Sequence, residues 1–275
     1  MLEIENIAKR IDYDTTVLIF FAILLILENL TPRSKFRLSS STQKENWIWV
    51  ILDHFVIGGL SLSIISFIIS NISNVYRYLG IFNYDLTSLH ALIQFAIYIL
   101  TFSFSTYTIH RLNHTVPYLW NIHALHHSSE ELTVTATFRD HPLSLVYVEV
   151  FSFMIVRTMI FSEAVRNVAD IFTMCWILFT HSNLNIRSPF LSKFLIMPHD
   201  HLWHHSKECK KRKGQNYGSI LSIWDHLFNT YYSDETITKC GVNHIYPKSI
   251  IKKLIYPFPR FFKSGDKSST RVKGN

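Results

Sequence analysis

The chain has 275 residues, 48% of them hydrophobic and 15% aromatic, with 8 Gly, 8 Pro and a formal net charge of +7 at pH 7. That balance excludes a disordered, collagenous or fibrous chain. Its three cysteines, Cys175, Cys209 and Cys240, form no close pair and exclude a disulfide framework or a thiolate metal site, so all three are read as free thiols.

The apolar residues fall in five blocks, at 13–30, 47–70, 86–109, 143–161 and 168–180. Crossing about 30 Å of hydrocarbon at 1.5 Å per residue takes about 20 residues. The second and third blocks are long enough, the first and fourth are marginal and the fifth is short. The prediction is an all-α integral membrane protein with four or five membrane helices in hairpins. Residues 1–99 are the N-terminal membrane helices, 100–232 a catalytic region and 233–275 a basic C-terminal tail.

The first block has no small-residue cleavage site and leads into the basic loop "TPRSKFRLSSSTQK", so it is expected to be retained. Arg33, Lys35, Arg37 and Lys44 place that loop in the cytoplasm. The alternation of blocks then delivers His110 and His181 to the same side. A multi-pass protein of the bacterial inner (plasma) membrane, or of the endoplasmic reticulum in a eukaryote, is implied. The rest of the basic excess, in "SKECKKRKG" and from Lys248 to Lys273, flanks apolar blocks; attraction to anionic lipid and membrane topology explain it, and no nucleic-acid module is read.

Eleven of the 15 histidines lie between His110 and His205. His54, His90, His226 and His244 stand alone and are given no special duty. His110 and His114, four apart, share one helix face. His123, His126 and His127 stand at i, i+3 and i+4, and His201, His204 and His205 repeat that spacing. With His181 at the end of the fifth block, nine imidazoles are predicted to converge. One tetrahedral site takes at most four protein ligands, so two metal ions fit better. Imidazole suits iron, copper, zinc and nickel alike. No HExxH supplies a hydrolytic zinc motif, and no thiolate or methionine set favours copper.

The series "HRLNH", "HALHHS", "RDHPL", "THSN", "HDHLWHHS" and "NYGSILSIWDHLFNTYY" resembles the fatty acid hydroxylase superfamily, also called the sterol desaturase family, over roughly residues 100–232. The resemblance implies a helical membrane enzyme that hydroxylates or desaturates a lipid (a sterol, fatty acyl chain or ether lipid), with two iron ions (Fe2+/Fe3+) on the cytoplasmic side and O2 as co-substrate. His110, His114, His123, His126, His127, His201, His204 and His205 match its histidine boxes as metal ligands. His181 matches a further family position ahead of the last box. Where the most similar ligand pattern has another histidine four residues on, this chain has Asn185, an amide that binds weakly or holds a water. His141, before Pro142, and His199 are extra ligands or residues orienting a ligand. No side chain beyond the metal centre is assigned a catalytic role.

Each turnover needs two electrons. With no GxGxxG, CxxC cluster or fused haem domain, a separate donor is implied: a cytochrome b5, a ferredoxin or a reductase. Lys207, Lys210, Lys211, Arg212 and Lys213 either steer an acidic donor or attract the membrane surface. Asp53, Glu149, Arg157 and Asp170 interrupt apolar blocks; local pairing or a position at a block end is the preferred account over a functional role. Glu130 and Glu131 are read as a solvated helix end. A metal transporter and a non-catalytic metal-binding membrane protein stay open as alternatives, although a transporter more often holds its ligands at the midplane of its spans.

Overall fold

The computed structural model describes residues 11–36, 38–78, 84–156, 158–207, 209, 215–233, 239–243 and 246–258. The expectations for Arg37, Arg157, the basic run 210–213, His244 and most of the tail lie outside the described residues.

Helix α1 (Tyr13–Leu30) opens where Asp12 accepts the Thr15 amide at 2.7 Å, and it stops ahead of Pro32. Helix α2 (Ser41–Leu52) is capped by Ser40 in the same way. It passes through a π turn (Asp53–Ile57) into α3 (Gly58–Tyr78), and the helical run Ser41–Asn74 covers 34 residues. The wide turn brings the Asp53 carbonyl over Gly58, where a Cβ would meet it at 2.8 Å. Only glycine fits there. A two-residue strand β1 (Tyr84–Asp85) precedes α4 (Ala91–Thr115) and pairs in parallel with β2 (Met159–Ile160).

Pro117 ends α4 and starts the short α5 (Pro117–His123), followed by 3-10 turns at His126–Ser128 and Val134–Phe138. Helices α6 (Pro142–Val156) and α7 (Glu163–His181) complete the bundle. The short helices α8 (Pro198–His204), α9 (Ile223–Leu227) and α10 (Ile250–Ile255) cover one end of it.

Hydrogen bonds between distant residues set the direction of each helix. At one end Asn167 donates to the Ile11 carbonyl at 2.9 Å and the Ser162 amide donates to Gln94 at 2.9 Å. At the other, Glu28 of α1 accepts the amides of Val134 (2.8 Å) and Asn183 (2.5 Å). Helices α1, α4 and α7 therefore run one way, while α3 and α6, tied by Tyr76 Oη to the Met154 carbonyl at 3.1 Å, run the other. The loop after α1, the end of α4, the start of α6 and the end of α7 all meet at the histidine end.

Among the described residues, three helices are long and apolar enough to cross a membrane: α1, the run Ser41–Asn74, and α4. Of the four or five expected, the fourth block forms α6, apolar but only 15 residues long. The fifth forms α7, whose first turns carry Glu163, Arg166 and Asp170. Large apolar side chains stand exposed along the three long helices, among them Leu18, Ile19 and Ile26 of α1 and Leu60, Leu62 and Phe67 of α3. A belt of this size belongs against lipid rather than water.

A buried ionic knot holds the histidine end together. Arg139 Nη2 lies 3.0 Å from Glu45 Oε1, and Lys253 Nζ reaches the same carboxylate. Arg139 also donates to Asn46 Oδ1 and Ser128 Oγ, each at 3.0 Å, so it ties the His126–Ser128 turn to α2.

Candidate metal centre

Nine histidines gather inside the end of the bundle in two groups. His110, His114, His123, His127 and His204 form one, and His126, His181, His201 and His205 the other, with ligand atoms within 4.8 Å of one another. The groups adjoin: the rings of His127 and His205 stack at 4.4 Å, and those of His123 and His126 lie 5.2 Å apart.

Backbone carbonyls orient several of the rings. His110 Nδ1 donates to the Tyr217 carbonyl at 2.8 Å and His204 Nδ1 to the Gln215 carbonyl at 2.6 Å. With the proton on Nδ1, the lone pair of Nε2 faces inward. In the five-histidine group all the Nε2 atoms, those of His110, His114, His123, His127 and His204, are buried with no hydrogen-bond partner. In the other group His181 Nδ1 donates to the Ile177 carbonyl at 2.8 Å, and its Nε2 lies 3.2 Å from that of His126 and 3.0 Å from that of His201. His205 Nε2 adds a third such approach, 3.1 Å from His201 Nε2.

Buried acceptors left without donors each cost about 1–3 kcal/mol. Several aimed at one point fit a cation better than any neutral neighbour. Burial, followed by repulsion among neighbouring rings, pushes His123, His127, His201 and His205 well below the usual imidazole range, and burial does the same to His126 and His204. They stay neutral, the form that binds metal. The donor set is all imidazole, which suits iron as well as zinc or copper.

The segment 215–218 that supplies two of these carbonyls is itself clamped. Asp225, fully buried, accepts the amides of Tyr217 and Gly218 at 2.8 Å each and the Thr230 hydroxyl at 2.7 Å. Gly218 has no room for a side chain: a Cβ would lie 2.6 Å from the Leu221 carbonyl oxygen and 2.8 Å from Asp225 Oδ2. Asn216, at φ 55°, donates to the carbonyls of Asp200 (2.9 Å) and Tyr232 (2.7 Å). Asp200 is itself buried. It caps α8 by accepting the Met197 amide at 3.0 Å and also accepts from Ser192 and Tyr231. Sequence spacing did not single out Asp200, Asn216 or Asp225 as supports; the only signal was their place in "HDHLWHH" and "NYGSILSIWDHLF".

Several expectations need correction. The second box does not lie on one helix: α5 ends at His123, and His126 and His127 sit on the following 3-10 turn, which tightens the chain enough to send His126 to the other group. Asn185 is exposed, because α7 ends at His181 and Ser182 is extended, which breaks the i+4 relation. His141 belongs to neither group; its Nε2 donates to the Leu254 carbonyl at 3.0 Å and its Nδ1 accepts the Leu143 amide at 3.2 Å. His199 lies half-buried on α8, outside both groups. Glu131 accepts from Ser40 and Gln43, and Glu130 faces Lys207 at 3.6 Å; neither is bonded to a histidine of the centre. Asp170 accepts from Tyr98 Oη within the bundle.

A cavity of about 270 Å³ opens beside the histidines, lined by His110, His123, His126, His181 and His201 and by apolar residues such as Phe102, Leu145, Val148 and Ile177.

The fold and site define a helical membrane protein whose paired histidine groups can bind metal. The sequence profile described as fatty acid hydroxylase matches residues 95–230. Over those residues the chain belongs to the fatty acid hydroxylase superfamily. It is 31% identical over 167 residues to ornithine lipid hydroxylase OlsE of Rhizobium tropici, covering 57% of this chain and 48% of that protein. It is 29% identical over 145 residues to alkylglycerol monooxygenase of Xenopus tropicalis and 26% identical over 141 residues to that of Homo sapiens, covering 51% of this chain and 31% of the relative in each case. The chain thus spans from about a third to about half the length of these relatives. No solved structure matches.

Proposed function

We propose that the protein is a membrane-bound non-haem di-iron oxidoreductase that uses O2 to hydroxylate a lipid C–H bond, with desaturation as the variant outcome of the same chemistry. The observation that carries this reading is the pair of buried histidine groups, five and four, opening on a cavity with Phe102, Leu145, Val148 and Ile177 in its walls. Relatives named hydroxylase and monooxygenase favour oxygen insertion, and their names point to ornithine lipids and alkylglycerols as substrate types.

His110, His114, His123, His127 and His204 would hold one iron, and His126, His181, His201 and His205 the other. Iron held there supplies the redox chemistry with O2 that an unactivated carbon requires. The chain does the rest. Carbonyls of Gln215, Tyr217 and Ile177 fix the ring tautomers, the Arg139 knot holds the second box in place, and the cavity walls keep water from the reacting carbon. One oxygen atom enters the lipid and the other leaves as water, with two electrons from a separate cytochrome b5, ferredoxin or reductase. Residues 100–232 form the catalytic region, 1–99 anchor it in lipid, and 233–275 form a basic tail. The centre faces the cytoplasm, where such donors reside.

The test is purified protein loaded with iron and supplied with an electron source and lipid under labelled O2. Label in the lipid product supports hydroxylation, and an alkene with label in water supports desaturation. Unchanged lipid with iron bound refutes the enzyme reading in favour of a metal-binding or transport protein.

A further inference from the structure

Helix α1 lies outside residues 95–230 and supplies no histidine to either group. It buries one face, Phe21, Leu24 and Glu28, and the last of these is a carboxyl group only 1% exposed. An ionisable side chain inside an apolar span is expensive to bury, so its partners define what it is for. Among the described residues Glu28 bonds two backbone amides, both of the catalytic region. Both end on the same oxygen: Oε1 accepts from Val134 at 2.8 Å and from Asn183 at 2.5 Å.

Each amide leads to a ligand of the four-histidine group. Asn183 follows His181 by two residues, where α7 has ended and the chain is extended at Ser182. The loop leaving α1 grips the same residue. The Arg33 amide donates to the Asn183 carbonyl at 2.8 Å, and the Asn183 side chain donates to the Ser34 carbonyl at 2.8 Å and accepts the Ser34 hydroxyl at 3.1 Å. Val134 opens the 3-10 turn Val134–Phe138, which leads to Arg139. Arg139 Nε donates to Ser128 Oγ at 3.0 Å and so holds the turn that carries His126. His126 and His181 face each other, their Nε2 atoms 3.2 Å apart.

We propose that Glu28 is a positioning residue for the metal centre, its Oε1 setting His181 against His126. Without that oxygen two buried amides lose their acceptor, and the segments bearing them must shift to find others. His181 and His126 then move relative to His201 and His205, which α8 and its capping Asp200 hold separately. The five-histidine group is less dependent on Glu28, which reaches it only through the turn shared by His126 and His127. The role rests on the reading of these histidines as metal ligands, and not on the oxidation.

The test uses the full chain in phosphatidylcholine nanodiscs, stripped of metal and titrated with Fe2+ under argon against a competing chelator. His204→Ala disables the five-histidine site so that the titration reads the other, and His205→Ala does the converse. In the first background Glu28→Met, which keeps the length but offers only a weak sulfur acceptor, is expected to lower Fe2+ affinity about 10–100-fold. Glu28→Gln, which keeps an acceptor oxygen at the same reach, should stay close to the parent. In the second background Glu28→Met should change affinity far less. If Glu28→Met does not accumulate in the membrane, Glu28→Asp, which withdraws the oxygen by about 1.5 Å, should weaken the same site in milder degree. Equal loss at both sites would reduce Glu28 to a general role in folding and overturn the proposal. So would a loss in Glu28→Gln as large as in Glu28→Met, which would make charge the cause, or unchanged affinity in Glu28→Met or Glu28→Asp. The same series in Zn2+ separates a failure of the iron assignment from a failure of the positioning role. Titration needs no turnover, so the expected ordering in a protein that oxidises no lipid counts against the enzyme reading alone.

Discussion

Replacing Asp225 with Asn is expected to weaken one half of the histidine centre and spare the other. The carboxylate accepts three hydrogen bonds, from the Tyr217 and Gly218 amides at 2.8 Å each and from Thr230 at 2.7 Å. An amide keeps one oxygen and turns an NH2 group toward the remaining donors. At least one backbone N–H is left unpaired in the interior, at a cost of about 1–3 kcal/mol. The segment it anchors supplies the carbonyls that orient His110 and His204, at 2.8 and 2.6 Å. Losing such support lowers metal affinity by about 10–100-fold, equivalent to about 1.4–2.7 kcal/mol. Both histidines belong to the five-histidine group, whereas no ring of the four-histidine group among the described residues bonds to this segment. Metal titration against a competing chelator, read by mass spectrometry of metal per chain, should therefore show one site weakened and one near its original affinity. Thr230→Val, which removes a single hydroxyl donor, serves as a milder control. Equal weakening of both sites, or two intact sites with unchanged thermal stability, refutes the clamp.

His204→Ala and His205→Ala each remove an inward imidazole from a different group, so both should abolish lipid oxidation, and metal analysis should find one ion lost rather than two. Full turnover in either variant would sink the ligand assignment. Acid should destabilise the metal-free protein, since His123, His126, His127, His201, His204 and His205 resist protonation when folded but accept protons near pH 6.5 when unfolded. Their contribution is present above about pH 6.5 and lost as pH falls below it. Asp140 and Asp225, raised by burial to about 7 and about 6, act in the opposite sense but are outnumbered. A melting temperature that is flat from pH 7 to 5 contradicts this. Glu45→Gln leaves Arg139 and Lys253 buried without their shared carboxylate and should cost about 3–5 kcal/mol in denaturant titration; a loss below about 1 kcal/mol would show the knot to be dispensable. Cysteine at exposed Leu38 should be labelled from the cytoplasmic side and cysteine at exposed Tyr84 from the other, because the two positions lie at opposite ends of the bundle. Labelling of both from one side refutes the topology.

Local rules made much of this protein legible in its sequence. Block 13–30 coincides with α1, because a long apolar run with an Asp cap before it and a proline after it has few alternatives. His110 and His114 share a face because α4 continues through both. The count of histidines alone made two ions fit better than one. Other features depended on how distant segments meet. The HxxHH spacing of the second box suggested one helix, yet a helix end at His123 divides it between two groups, and the 3-10 turn that follows is tied to Arg139 through Ser128. Asn185 is four residues after His181 in the chain but faces solvent, because spacing carries direction only while a helix lasts. The clamp of Asp225 on segment 215–218, and the shared lining of one cavity by Phe102, Leu145 and Ile177, join residues far apart in sequence. Periodicity reports which side chains share one element, whereas hydrogen-bond pairing and cavity lining arise only when separate elements pack.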